Sequence, residues 1–233
     1  MKKNTFALIQ TFKDLIFPRN CFGCESPLNF YEKRLCLSCQ IQLPLTSFHF
    51  THKNPLFQKL NLQFETMAAT SLFFFQKEGV LSNMIHLFKY KGVKKIGYFL
   101  GDWLANCLLE STFFKNIEGI VPVPLHSKKQ KSRGYNQAEI IAAALSKKMG
   151  VPLYKKVLIR VKNTTALARL GESERKDEVN NAFQIHPSFT LRNQHLLLVD
   201  DVLTTGATLS ACASVLLKNS DIKLSIAVLA CRL

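Results

Sequence analysis

The residues of this chain best suited to chemistry are the adjacent carboxylates Asp200 and Asp201, followed directly by Val202-Leu203-Thr204-Thr205-Gly206-Ala207-Thr208. Small residues let a backbone come close to an anion, and the threonine hydroxyls add donors. Two adjacent carboxylates repel a phosphate. They accept hydrogen bonds from sugar hydroxyls instead, directly or through a hydrated divalent ion. The combination implies a phosphorylated sugar as ligand. A plainer account is a strand ending in an acidic turn, with Thr205 or Thr208 capping the next helix. That explains a hydroxyl or two but not the whole ordered string.

Elements that could hold these residues are readable around them. The apolar run Leu196–Val199 reads as a buried parallel strand, whose carboxyl end is where open α/β sheets place ligands. Ala207–Leu217 carries the apolar residues of a following helix, and free N–H groups at such a helix start hold phosphate. Elsewhere, strands are predicted at Met67–Phe75, Ile117–Val123, Lys156–Val161 and Lys223–Ala230, and helices at Val80–Phe88, Ile96–Leu109 and Asn136–Met149. This alternation predicts an α/β fold of βαβ units, a parallel sheet with helices on both faces. Pro44–Phe64 mixes Pro, Asn, His and Lys and reads as a connector, with His49 and His52 solvated in it. The chain therefore divides into residues 1–60 and 61–233. Thr5–Phe17 reads as an amphipathic helix rather than a signal peptide.

A second constellation lies near the N-terminus. Cys21-Phe22-Gly23-Cys24 and Cys36-Leu37-Ser38-Cys39 are two Cys-x-x-Cys turns, each placing two thiolates on one side. Together they make a tetrahedral sulfur set suited to Zn²⁺, and a closed set of four makes the metal structural. Redox dithiols or an iron–sulfur cluster are the alternatives. So small a module has too little core to fold alone, and metal binding would supply the missing free energy. The chain has seven cysteines, an odd number that argues against a purely disulfide framework. Cys107, Cys212 and Cys231 sit in apolar contexts and read as core.

The 233 residues are 47% hydrophobic and 20% charged, as in ordinary soluble proteins, but the net charge is +15. Such an excess attracts polyanions or anionic ligands, although a solvated basic surface would look the same. No stretch approaches the roughly 20 apolar residues of a membrane span, so the cytoplasm is the default expectation.

Three further segments fit a sugar phosphate. Val121-Pro122-Val123-Pro124-Leu125-His126 is a strand end that must turn at its prolines. The basic residues Lys128, Lys129, Lys131 and Arg133 follow it, a cationic loop able to neutralise a pyrophosphate, with Arg133 binding in a bidentate way. In Arg133-Gly134-Tyr135-Asn136-Gln137-Ala138-Glu139, Asn136 can cap the next helix. Phe88-Lys89-Tyr90-Lys91-Gly92, ahead of Lys94 and Lys95, interleaves aromatic and basic residues in a way that suits single-stranded nucleic acid. It equally suits a helix end with cations at its negative pole.

The 196–208 run resembles the signature of the type I phosphoribosyltransferases, which bind 5-phosphoribosyl-1-pyrophosphate (PRPP) with Mg²⁺. The resemblance implies that Asp200 and Asp201 lie beside the ribose hydroxyls and that Thr204–Thr208 wrap the 5-phosphate. Val202 and Leu203 complete the run, and Pro124, Leu125, His126 and Arg133 form the pyrophosphate loop. With the two cysteine turns, the segments at 88–92, 121–126 and 133–138, and the Glu174-Arg175 to Ala182-Phe183 stretch, nearly the whole chain resembles the ComF family of competence proteins. That family joins a four-cysteine zinc module to a phosphoribosyltransferase-like, Rossmann-like domain. The resemblance implies a role in natural transformation, with single-stranded DNA handled in the cytoplasm or at the periphery of the inner membrane. DNA translocation machinery would be a partner, and Lys89, Tyr90, Lys91, Lys94 and Lys95 are candidate DNA contacts.

Two positions depart from the family pattern. Leu167 stands where Gln is usual, between Thr164 and Leu170, and Glu178 where Asn is usual. Both fall in 162–182, which would be the mobile loop that closes over ligand in catalytically active relatives, so they bear on turnover rather than on binding. Three readings follow: a PRPP-binding competence factor, an active phosphoribosyltransferase on an unidentified acceptor, and a DNA-binding scaffold that has lost its ligand.

Overall fold

Leu196–Val199 form the centre of β5 (His195–Leu203), and their side chains divide between two cores. Leu197 and Val199 face one way, Leu196 and Leu198 the other, as the twofold period of a strand requires. A strand buried on both faces belongs inside a parallel sheet covered on both sides. The structure, a computed structural model, describes residues 19–161, 182–218 and 221–233. It places β5 beside β2 (Gly119–Pro122) on one edge and β6 (Lys223–Cys231) on the other. β1 (Ala68–Phe74) closes the order β1-β6-β5-β2, with every pairing parallel. A separate antiparallel pair joins β3 (Leu158–Arg160) to β4 (Phe183–Ile185), a strand that sequence reading did not find.

The helices are α1 (Leu37–Ile41), α2 (Pro55–Asn61), α3 (Val80–Tyr90), α4 (Lys94–Glu110), α5 (Ser127–Arg133), α6 (Gln137–Met149) and α7 (Ala207–Leu217). Leu81, Met84, Leu100, Leu104, Ile141 and Leu145 of α3, α4 and α6 cover one face of the sheet. Leu209, Cys212, Leu216, Leu56 and Leu60 of α7 and α2 cover the other. The expected α/β architecture is the observed one, and most predicted elements agree within a few residues. Cys107, Cys212 and Cys231 are buried, as expected.

Two local expectations differ. The stretch 44–64 holds a short 3-10 segment (Phe48–Phe50) and α2, where Asn54 accepts a hydrogen bond from Phe57 N at 3.0 Å and Pro55 opens the helix. Capping and a proline at the first helical position outweigh its loop-like composition. His49 is buried, and the His52 ring lies 5.0 Å from those of both Phe57 and Phe113, so neither is simply solvated. The basic residues after His126 form α5 rather than a loop, because His126 Nδ1 caps it by accepting from Lys128 N at 3.2 Å. The cysteine-bearing segment packs directly on the sheet's helices: Cys21, Leu35, Cys39 and Leu43 share one core with Phe73, Leu81 and Leu100. The expected helix at 5–17 and the positions Thr164, Leu167, Leu170, Glu174, Arg175 and Glu178 lie outside the described residues, as does nearly all of the expected loop.

Candidate functional site

β2 pairs with β5 only as far as Pro122, opposite Val199, and the chain then turns away through Val123 and Pro124. From Asp200 onward that edge of β5 is open, while the β6 edge stays paired to Leu203. The opening holds a cavity of about 200 Å³. Asp200, Asp201, Val202 and Thr208 line one side, and Pro124, Leu125, Lys89, Lys129, Arg133 and Arg160 line others. The position is the ligand crevice of open α/β sheets, at the carboxyl ends of strands.

Charges within the cavity are tied together. Lys89 Nζ pairs with Asp201 Oδ2 at 2.8 Å, and Asp201 N donates to Asp200 Oδ1 at 2.8 Å. Burial, and then the negative charge of Asp201, push Asp200 up to about 7, against the opposing pull of Lys89. Arg133 donates to Gln137 Oε1 at 3.1 Å, and its guanidinium lies 5.2 Å from the Tyr90 ring centre. The Gln137 Nε2, buried at the same cavity, has no hydrogen-bond partner among the described residues. Asn136 holds the far wall in place: its side chain donates to Val123 O at 2.9 Å and accepts from Ala138 N at 3.1 Å.

The turn after the acid pair forms a second, smaller hollow of about 40 Å³, lined by Asp200 and by residues 202–209. It shares Asp200, Val202 and Thr208 with the first. Gly206 precedes α7 at φ 89°, a left-handed conformation, and no side chain caps the helix there. Thr205 Oγ1 accepts only a long bond from Ala207 N, at 3.4 Å. An uncapped helix start carries unsatisfied N–H donors and the positive end of the helix dipole, which together favour an anion.

The structure thus brings Asp200–Thr208, Pro124, Leu125 and Arg133 to one place. His126 is not among the cavity-lining residues; it is buried and engaged in capping α5. Burial, then the charges of Arg160, Lys128 and Lys129, hold its pKa below the usual histidine value. Of the candidate nucleic-acid contacts, Lys89 faces the acid pair, Tyr90 lies exposed beside Arg133, and Lys91, Lys94 and Lys95 are exposed at the turn between α3 and α4. Sequence reading missed Arg160, whose one signal is a charge inside the apolar run 157–161. It also missed Lys59 and Gln63, which touch the turn from α2 and just beyond it.

A larger cavity, about 680 Å³, lies at the opposite, amino end of the sheet. Two of its ionisable groups are already engaged: His195 Nε2 bonds Ser225 Oγ at 2.8 Å, and Glu118 Oε2 accepts from His195 N at 2.8 Å. Size alone does not mark the site.

The four N-terminal cysteines converge. Their Sγ atoms all lie within 4.8 Å of one another, and Cys36 Sγ is 3.8 Å from those of both Cys21 and Cys24. A metal with sulfur ligands at about 2.3 Å in a tetrahedron sets sulfurs about 3.8 Å apart, so the set fits one ion. Gly23 N and Cys36 N donate to Cys21 Sγ at 3.4 and 3.3 Å, as backbone amides do around a metal-bound thiolate.

Residues 129–232 match the family described as "Phosphoribosyl transferase domain", which sets the class of the carboxyl half of the chain. Over 104 residues the chain is 38% identical to "Competence protein F" of Haemophilus influenzae, covering 43% of this chain and 44% of that protein. It is 28% identical to "DNA utilization protein YhgH" of Escherichia coli K12, covering 88% and 93%. It is 24% identical to "Competence protein ComFC" of Bacillus subtilis, covering 85% and 78%. These relatives, with the domain match, support a ComF-family protein. The chain's match spans about half the length of the Haemophilus protein and 62% of YhgH of Salmonella typhimurium.

No helix among the described residues is long and apolar enough to cross a membrane.

Proposed function

We propose that this protein binds PRPP, or a closely related sugar phosphate, with Mg²⁺ at the carboxyl end of β5, and serves natural transformation by handling incoming single-stranded DNA in the cytoplasm. One observation carries the ligand: an acid pair, an uncapped helix start and a cationic wall meet at adjoining hollows. Ribose hydroxyls would donate to Asp200 and Asp201, and a 5-phosphate would accept from the N–H groups and hydroxyls at 205–208. A pyrophosphate would face Lys129 and Arg133, the latter able to grip two oxygens at once. Mg²⁺, held beside the acid pair, would neutralise charge on the pyrophosphate.

The role in transformation is supported by the relatives named for competence and for DNA utilization. The exposed Tyr90, Lys91, Lys94 and Lys95 offer an aromatic and basic surface for a single strand, exchanged with the DNA translocation machinery. The four cysteines would hold one structural Zn²⁺, expected at one ion per chain, and a chelator would unfold the module.

The test is calorimetric titration of PRPP with Mg²⁺ into zinc-loaded protein, alongside the double variant Asp200→Asn, Asp201→Asn. Saturable binding that the variant loses supports the site; absence of binding leaves a DNA-binding scaffold as the better account. The cationic wall also favours a second reading, an active phosphoribosyltransferase, since it could stabilise a leaving pyrophosphate. Pyrophosphate release no faster than spontaneous PRPP breakdown, across candidate acceptors, would sink it.

A further inference from the structure

Lys59 lies in α2, far from the acid pair in sequence, yet its Nζ donates to Thr204 O at 2.9 Å and to Arg232 O at 2.7 Å. Gln63, just beyond the helix, donates from Nε2 to Thr205 O at 3.4 Å. Neither residue lines either hollow of the site. They approach the turn from behind, so closely that a Cβ on Gly206 would stand 3.1 Å from Gln63 Nε2.

Peptide units are planar, and there are no cis bonds among the described residues. In a trans unit the carbonyl and the following N–H point in opposite directions. Holding the carbonyls of Thr204 and Thr205 toward α2 therefore turns the N–H groups of Thr205 and Gly206 away from α2, to the side where the small hollow opens. Among the described residues no side chain caps the helix at Gly206, and the Thr205 hydroxyl bond is long. The ammonium also brings a positive charge to the back of a turn whose front would face an anion.

We propose that Lys59, assisted by Gln63, is a positioning residue for the phosphate subsite: it fixes the turn at 204–206 so that its amides converge on a phosphate. This rests on the reading of 204–208 as the 5-phosphate subsite. It further implies that the segment joining the cysteine module to the sheet is part of the ligand site without touching ligand. By tying Thr204 to Arg232 it also joins the ends of β5 and β6 on the side where the phosphate sits.

The test compares ribose 5-phosphate and inorganic pyrophosphate, titrated separately into wild type, Lys59→Met, Lys59→Arg and Gln63→Leu. Lys59→Met is expected to weaken ribose 5-phosphate about tenfold, the worth of a charged hydrogen bond, while pyrophosphate changes less than about twofold. Lys59→Arg, which keeps donors for both carbonyls, should recover most of the loss. Gln63→Leu, at an exposed position, should cause a smaller loss of the same kind. In amide NMR spectra, the Thr205 and Gly206 signals should shift in Lys59→Met before ligand is added. Wild type that fails to bind ribose 5-phosphate overturns the subsite reading itself. Wild type that binds, with Lys59→Met unchanged, overturns only the role of Lys59. Equal loss of both ligands, without recovery in Lys59→Arg, also overturns it, because Lys59 would then be holding the fold rather than the subsite.

Discussion

Gly23 in the first cysteine turn and Gly206 before α7 stand in comparable positions, each in a tight turn pressed against a neighbouring element. A Cβ on Gly23 would come 2.6 Å from Val80 Cγ1 and 2.9 Å from Cys39 Sγ; one on Gly206 would meet the Gln63 amide and a left-handed φ besides. Their surroundings differ. Cys21 and Cys39 are buried, and four sulfurs close on a single point. Thr204, Thr205 and Ala207 are exposed, and the donors of that turn face an open hollow. A closed set turns the free energy of binding into fold stability, whereas an open one keeps it for a ligand that comes and goes. On the proposed reading, the same backbone device would serve permanence at one end of the chain and exchange at the other.

The contrast breaks most visibly at Gly23. Gly23→Ala should destabilise the protein by about 1–3 kcal/mol through overpacking and lower the bound metal below one ion per chain, read by denaturant unfolding and metal analysis. Unchanged metal content would show that the turn has slack. Gly206→Ala should leave the metal untouched and weaken ribose 5-phosphate about tenfold, since a side chain there carries about 1–2 kcal/mol of left-handed strain. Equal affinity in calorimetry would mean that the turn readily finds another shape.

Acidity sharpens the comparison further. With Asp200 raised to about 7 from an ordinary 3.8, the folded protein keeps a proton that the unfolded chain releases. Stability should fall as pH rises from about 4 to about 7 and level off above, relative to Asp200→Asn, in melting curves of the ligand-free protein. If Mg²⁺–PRPP engages the Asp200 carboxylate as proposed, its binding should release a proton at pH 6 and little at pH 8.5. The smallest effect belongs to the surface: replacing Lys91, Lys94 or Lys95 singly by Gln should reduce the salt slope of single-stranded DNA binding by about 0.7 each. A slope that stays put would move the strand elsewhere.

Both contrasted turns were legible in the sequence because their chemistry fixes residue types at fixed spacing. The strand–acid pair–turn order survives as written, and so do the paired cysteines. α2 was hidden by its composition, although Asn54-Pro55 is a helix-start signal. α5 was hidden because 127–133 has no apolar stripe to show a period. Arg160 shows in the sequence only as a charge inside an apolar run and Lys59 not at all, since what places them at β5 is the packing of β3 and α2. His126 illustrates the reverse: a residue type suited to a phosphate is instead used to start a helix.

The Lys89–Asp201 pair has a consequence of its own. In the resting site Asp201 is already paired from within, by an ammonium 2.8 Å from its Oδ2. On the proposed reading, occupation would be a substitution rather than an addition: the lysine would swing off Asp201 Oδ2 as a metal ion or a sugar hydroxyl took its place. Entry would be limited by that swing, and the ammonium set loose would sit on the same wall as Lys129 and Arg133, ready for the negative charge that displaced it.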